Sequence, residues 1–264
     1  MDTRFWGPSG WKLLHMITFD YTYSPTNAIT YAQFFESLPY ILPCKFCRSS
    51  LGDYYKQYPY KTYVNINPNL DLKKWLYNIH NCVNDKLRSQ GLHPTPNPSY
   101  ADVKKIYECE MDINVIWDFL FAVAYHHPKN VHSDPMPKCP KNVYKCKDKC
   151  EKNKWNVLSV RDRIYWFKRF WKFLPVVLPE RIATKWKNIK NPPTLESRHS
   201  TLEWLWRVRC GIDSSFKDPY TSICKKVISY STDCDRKNAI TCRKTQNPIK
   251  ISKTLRKKRK KTTK

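Results

Sequence analysis

Leu38-Pro39-Tyr40-Ile41-Leu42-Pro43-Cys44-Lys45-Phe46-Cys47 is an apolar run that ends in proline and opens a Cys-x-x-Cys pair. Pro43 cannot donate a backbone hydrogen bond, so it suits the start of a helix. Cys44 and Cys47 then fall in the opening turn, where the positive end of the helix dipole favours a thiolate. The two-residue spacer predicts that Cys44 stays exposed while Cys47 turns inward. A Cys-x-x-Cys pair alone reads equally as half of a zinc site or as a redox dithiol.

The neighbouring segments narrow that choice. Upstream, Trp6-Gly7-Pro8 precedes Trp11 and His15, which share one helix face at i,i+4. Downstream, Trp75 precedes His80-Asn81-Cys82-Val83-Asn84, where His80 and the two asparagines form one polar stripe. Helices are predicted over 8–22, 25–38, 44–57, 70–88 and 99–108. No stretch alternates as a strand would, so the fold class is all-α: a four-helix bundle plus a short fifth helix. Taken singly, Trp11 and His15 are ordinary core packing and His80 a satisfied polar residue. Taken together they favour a redox dithiol beside a bound aromatic cofactor.

Composition excludes several other classes. The five glycines cannot form a G-x-G-x-x-G or a phosphate-binding loop, which argues against a Rossmann site. Net charge is +26, unevenly spread: residues 1–110 hold 12 Lys and Arg against 9 Asp and Glu, residues 243–264 hold 11 against none. A nearly neutral first region fits chemistry better than nucleic-acid binding. The Arg256–Lys261 run reads as a disordered basic tail, serving as a nuclear signal, a nucleic-acid patch or a solvated end. No run reaches the ~18–20 apolar residues of a membrane span, and no apolar leader follows the N-terminus. Eleven cysteines without such a leader sit oddly with a reducing compartment. A protein that itself makes disulfides outside the secretory pathway resolves that conflict.

The second half echoes the first. Phe34-Phe35-Glu36-Ser37-Leu38-Pro39 lines up with Phe170-Trp171-Lys172-Phe173-Leu174-Pro175, and Trp11-Lys12-Leu13-Leu14 with Trp117-Asp118-Phe119-Leu120. Leu72–Tyr77 lines up less firmly with Leu202–Trp206, Trp75 falling on Trp204 or one gap away. Internal similarity of this kind points to duplication, although two unrelated aromatic-rich helical units would read the same. Reactive positions are changed: Glu180 and Ala183 stand at Cys44 and Cys47, Phe121 at His15, and Arg209 and Asp213 near His80 and Asn84. The division expected is 1–110 for the chemistry, 111–242 for a second helical domain that is a degenerate copy, and 243–264 for the tail.

In order and spacing these motifs resemble the Erv/Alr family of FAD-linked sulfhydryl oxidases, over about residues 4–108. The resemblance implies FAD as cofactor, Cys47 against its ring and Cys44 open to incoming thiols. It implies cofactor contacts from Trp6, Gly7, Trp11, His15, His80, Asn81 and Asn84, with Lys86 and Tyr100 as further candidates. Electrons would pass from protein dithiols through Cys44–Cys47 to FAD and then to oxygen, giving hydrogen peroxide. No metal is implied. Tyr77 stands where cellular members place a structural cysteine, so that staple is absent, and the pairing of Cys82 and Cys109 stays open. Cys139, Cys146 and Cys150 read as a shuttle pair, a structural disulfide or zinc ligands with His126, His127 or His132. Cys210, Cys224, Cys234 and Cys242 are equally open. The absent leader and the Lys-rich tail are similar to versions from large DNA viruses. That implies a host-cytoplasmic or virion location and a part in virion assembly, with the mitochondrial intermembrane space as the alternative. A homodimer and a pseudo-dimer within one chain both remain open. The rival reading is a basic nucleic-acid-binding protein with zinc-holding cysteines.

Overall fold

The first helix begins where Asp2 accepts the backbone N–H of Arg4, at 2.9 Å. It runs Thr3–Asp20 (α1) in a computed structural model that describes residues 1–60, 71–92, 95–109, 112–131, 158–189 and 193–231. This start lies five residues ahead of the one predicted. An aspartate cap fixes it, and Pro8 is carried inside the helix at the loss of one hydrogen bond. Next come α2 (Pro25–Ile41), α3 (Lys45–Gln57), α4 (Leu72–Ser89) and α5 (Tyr100–Tyr107). Helix α2 starts on the Ser24 cap with Pro25 in its first turn and continues three residues past its predicted end, through Pro39.

The second half holds α6 (Trp117–Tyr125), α7 (Val160–Val177), α8 (Glu180–Lys187), α9 (Arg198–Ile212) and α10 (Tyr220–Ser229), with short 3₁₀ turns at Ile113–Ile116 and Pro128–Asn130. Every described element is helical. Cys139, Cys146, Cys150, His132, Cys234, Cys242 and the basic tail lie outside the described residues. No described helix is long and apolar enough to cross a membrane.

One apolar core runs through both halves, from Leu13, Phe34 and Trp75 to Phe119, Phe170 and Leu205. Two helix pairs build its centre, the α2–α7 pair antiparallel. Along α2 and α7, Tyr31 Oη donates to the Val177 carbonyl at 3.4 Å, and the Phe34 and Phe170 rings stand 5.6 Å apart. Further on, Glu36 meets Arg169 at 2.7 Å and Tyr40 stacks on Trp166 at 4.0 Å. Numbers rise on one helix as they fall on the other. Along α1 and α6, the Phe119 N–H donates to Ser9 Oγ at 3.0 Å, and the Phe119 ring fills the space above Gly10. A Cβ on Gly10 would come within 3.0 Å of that ring, so the close approach of α6 depends on this glycine.

Helices also meet in the same order within each half. In the first, α1 touches α4 and α5, α2 touches α3, and α4 touches α3 and α5. In the second, α6 touches α9 and α10, α7 touches α8, and α9 touches α8 and α10. Buried positions on α9 fix the uncertain register. Thr201, Trp204, Leu205 and Val208 repeat the spacing of Leu72, Trp75, Leu76 and Ile79, which sets Trp204 against Trp75.

Candidate active site

Cys44 is the N-cap of α3, and its Sγ accepts the Cys47 N–H at 3.3 Å. The structure carries the two residues as thiols. Arg48, one turn on, donates to the Leu42 carbonyl at 2.6 Å and so ties α3 to the Leu42–Cys44 turn. The order of exposure differs from the expectation. Cys44 is the buried member at 3 %, and Cys47 is half-buried. An N-cap side chain folds back over its own first turn, and here that turn packs into the core beside Leu42. Cys47 lies on the open face of α3 with Phe46 and Ser50, all three half-buried.

Helices α1, α4 and α5 together build an aromatic and imidazole cluster. Trp11 of α1 stacks on His80 of α4 at 3.9 Å and 11°. His15 Nε2 lies 3.2 Å from His80 Nδ1, one ring donating to the other. The Tyr107 ring of α5 covers His15 at 4.4 Å. Burial, and then the neighbouring His80, push the His15 imidazole down to about 3, so it is neutral in ordinary buffers. His15 Nδ1 is buried with no partner among the described residues, and Trp6 Nε1 is in the same state. Trp6 itself packs toward the second half, 5.9 Å from the Phe119 ring. Gly7 faces space in which an added Cβ would meet nothing within 4 Å.

On α4, Asn84 is buried and Asn81 half-buried. Lys86 donates to Ser50 Oγ at 2.7 Å, which joins α4 to the open face of α3. Tyr54, on the same side of α3, donates to the Cys82 carbonyl at 3.3 Å. Tyr100 goes elsewhere. It hydrogen-bonds Asp71 and stacks near Tyr77 and Lys74 at the other end of α4. Sequence reasoning missed Tyr107, Ser50 and Tyr54. Only the seven-residue spacing of Tyr100 and Tyr107, two turns on one helix face, could have drawn attention to Tyr107. Cys82 and Cys109 are both unpaired thiols. Among the described residues no three His, Cys, Asp or Glu side chains gather as metal ligands would.

Residues 8–108 match the model of the Erv1/Alr family. A protein of Acanthamoeba polyphaga mimivirus named as a probable FAD-linked sulfhydryl oxidase is 36% identical over 86 residues, which are 32% of this chain and 59% of that relative. An African swine fever virus protein named FAD-linked sulfhydryl oxidase is 29% identical over 105 residues, 39% of this chain and 80% of the relative. A protein of invertebrate iridescent virus 6, provisionally named for the same activity, is 30% identical over 93 residues, 33% of this chain and 83% of its own. No solved structure matches at a significant level. The cysteine pair, the Trp11–His15–His80 cluster and the asparagine stripe all fall inside the matched residues, and the chain belongs to the Erv1/Alr family.

Proposed function

We propose that residues 3–107 form an FAD-dependent sulfhydryl oxidase working through Cys44 and Cys47. The carrying observation is that α4 links the two groups: its Lys86 binds Ser50, three residues after Cys47 on α3, and its His80 meets Trp11 and His15 of α1. The orphaned Nδ1 of His15 is a buried polar atom that a polar aromatic cofactor would satisfy, so the residues present fit FAD. Trp11, His15, His80, Asn81, Asn84 and Lys86 would hold it, with Tyr107 closing over His15. The position of Tyr100 supports only a peripheral role. When bound, FAD accepts the two electrons of a dithiol and passes them to oxygen, giving hydrogen peroxide.

The chain's own residues conduct the exchange. A substrate thiolate attacks Cys44 Sγ of the Cys44–Cys47 disulfide, and Cys47 leaves as a thiolate. A second substrate thiol attacks the mixed disulfide, releasing Cys44 and a substrate disulfide. Cys44 must swing out of its cap position to be reached, at a cost of about 1 kcal/mol. Purified protein that is yellow with flavin and oxidises a dithiol with stoichiometric peroxide supports this reading. Cys47→Ser should keep the flavin and fall to background. Turnover near the wild-type rate in that variant would refute the assignment of Cys47.

Residues 117–229 form, on this proposal, a degenerate second bundle acting as a built-in partner. Support comes from the matching helix contacts, the antiparallel α2–α7 pair with α1 packed on α6, and the loss of each reactive group. Such a pair is what a two-fold dimer becomes when both copies lie on one chain. Cleavage after residue 110 should expose the α1 and α2 faces and give a dimer or aggregate. A monomeric, soluble, fully active fragment would refute it. The viral relatives favour action in an infected cell's cytoplasm or in the virion, which fractionation of infected cells would test.

A further inference from the structure

We propose that position 50 decides which half holds the cofactor: Ser50 leaves open a flat slot that Trp186 fills in the second half. The inference rests on the FAD reading above. The register is set by Pro39 with Pro175, Leu42 with Leu178, and Pro43 with Pro179. It carries Phe46, Cys47 and Ser50 onto Ile182, Ala183 and Trp186. Each trio forms one helix face, because the spacing is i, i+1, i+4.

The two faces differ in cover. Ile182, Ala183 and Trp186 are all buried, while their three counterparts are half-buried. Trp186 reaches rings on two neighbouring helices. Its ring lies parallel to Trp117 at 6.3 Å and 9°, and edge-on to Trp204 at 6.2 Å. Trp117 is the counterpart of Trp11 and Trp204 of Trp75. The Arg209 guanidinium, in the place of His80, stands 5.5 Å from the Trp117 ring. A planar indole thus occupies the space between the α6 and α9 walls.

In the first half the matching walls carry Trp11 on α1 and Trp75 and His80 on α4; Tyr55 of α3 packs on Trp75 at 5.6 Å, and the position matching Trp186 carries only the Ser50 hydroxymethyl, held by Lys86. A small polar residue beside the redox cysteine leaves room for a flat aromatic ligand. A tryptophan at the same point removes that room by supplying the ring itself. Close-packed interiors do not accept both.

Two arms test this in the full chain. Ser50→Trp should fold with unchanged helix content but purify with flavin reduced about tenfold or more, the size of an overpacking penalty. Ser50→Ala should keep its flavin. Trp186→Ala should lower the melting temperature, and added indole should raise it again by refilling the slot. Full flavin in a folded Ser50→Trp protein would overturn the proposal, as would a Trp186→Ala protein indifferent to indole. If Ser50→Trp does not fold, Ser50→Leu gives the same flavin reading and the indole arm is unaffected. A wild-type protein without flavin would defeat the oxidase reading instead and leave the indole result to judge the slot.

Discussion

Helices α2 and α7 share an apolar pattern and a sharp proline-ended finish, yet one delivers a dithiol and the other a glutamate and an alanine. The same division separates α1 from α6, where Phe121 stands in the place of His15, and α4 from α9, where Arg209 stands in the place of His80. What remains equal across the halves is the apolar frame: Phe34 and Phe170, Leu38 and Leu174, Trp75 and Trp204 are all buried. Packing depends on where apolar groups fall, and chemistry on a few side chains grafted onto that frame. Polar positions can therefore change in one half while the helices keep their partners.

The comparison breaks if the halves are energetically separate. Phe170→Ala removes a fully buried ring at the α2–α7 crossing and should cost about 3–5 kcal/mol. Since the core is one cluster, circular dichroism and flavin release should report the same lowered transition. Two transitions, with the first half unchanged, would mean two independent domains.

A smaller effect sharpens the contrast between His15 and Phe121. The His15 value of about 3 in the folded protein lies below the ordinary 6.5. As pH falls below 6.5 the unfolded chain takes up a proton that the native imidazole refuses. Stability is therefore full above 6.5 and lost toward pH 3, at up to about 1.4 kcal/mol per pH unit. Burial lowers His126 and His127 in the same direction, so they add to the slope. His15→Phe, which copies the second half, should flatten the acid limb of a denaturation series on flavin-free protein. An unchanged slope would assign the acid sensitivity to the other two histidines.

The smallest effect is at the junction. Arg169 pairs with Glu36 at 2.7 Å and lies over the Trp166 ring at 5.3 Å, with about a fifth of its side chain exposed. Arg169→Ala should cost about 1–2 kcal/mol in urea melts, with helix content unchanged. A cost no larger than that of a surface lysine would show that the apolar crossing alone holds the halves.

Much of this was legible in the sequence. Period and caps located the five helices of the first half, with ends displaced where an aspartate cap or a tolerated proline decided them. Spacing also set Trp11 and His15 on one face of α1, while the approach of His80 to them depends on how α4 packs on α1. Other features depended on contacts between distant segments. Tyr107 reaches His15 only because α5 lies across α1, and Tyr100 was drawn to Asp71 and Lys74. The exposure of Cys44 and Cys47 came out reversed because it depends on what packs over the start of α3, which no local pattern records. Ser50 carries no signal until Trp186 stands beside it in comparison.

Joining the α2 and α7 surfaces through one backbone has a kinetic consequence. Partners on separate chains drift apart on dilution, whereas tethered ones meet at an effective concentration set by their linker. The α2–α7 contact thus persists however scarce the protein is. Activity per molecule should be the same at nanomolar and micromolar levels. On the proposed pseudo-dimer, the arrangement exchanges a second reaction centre for independence from abundance.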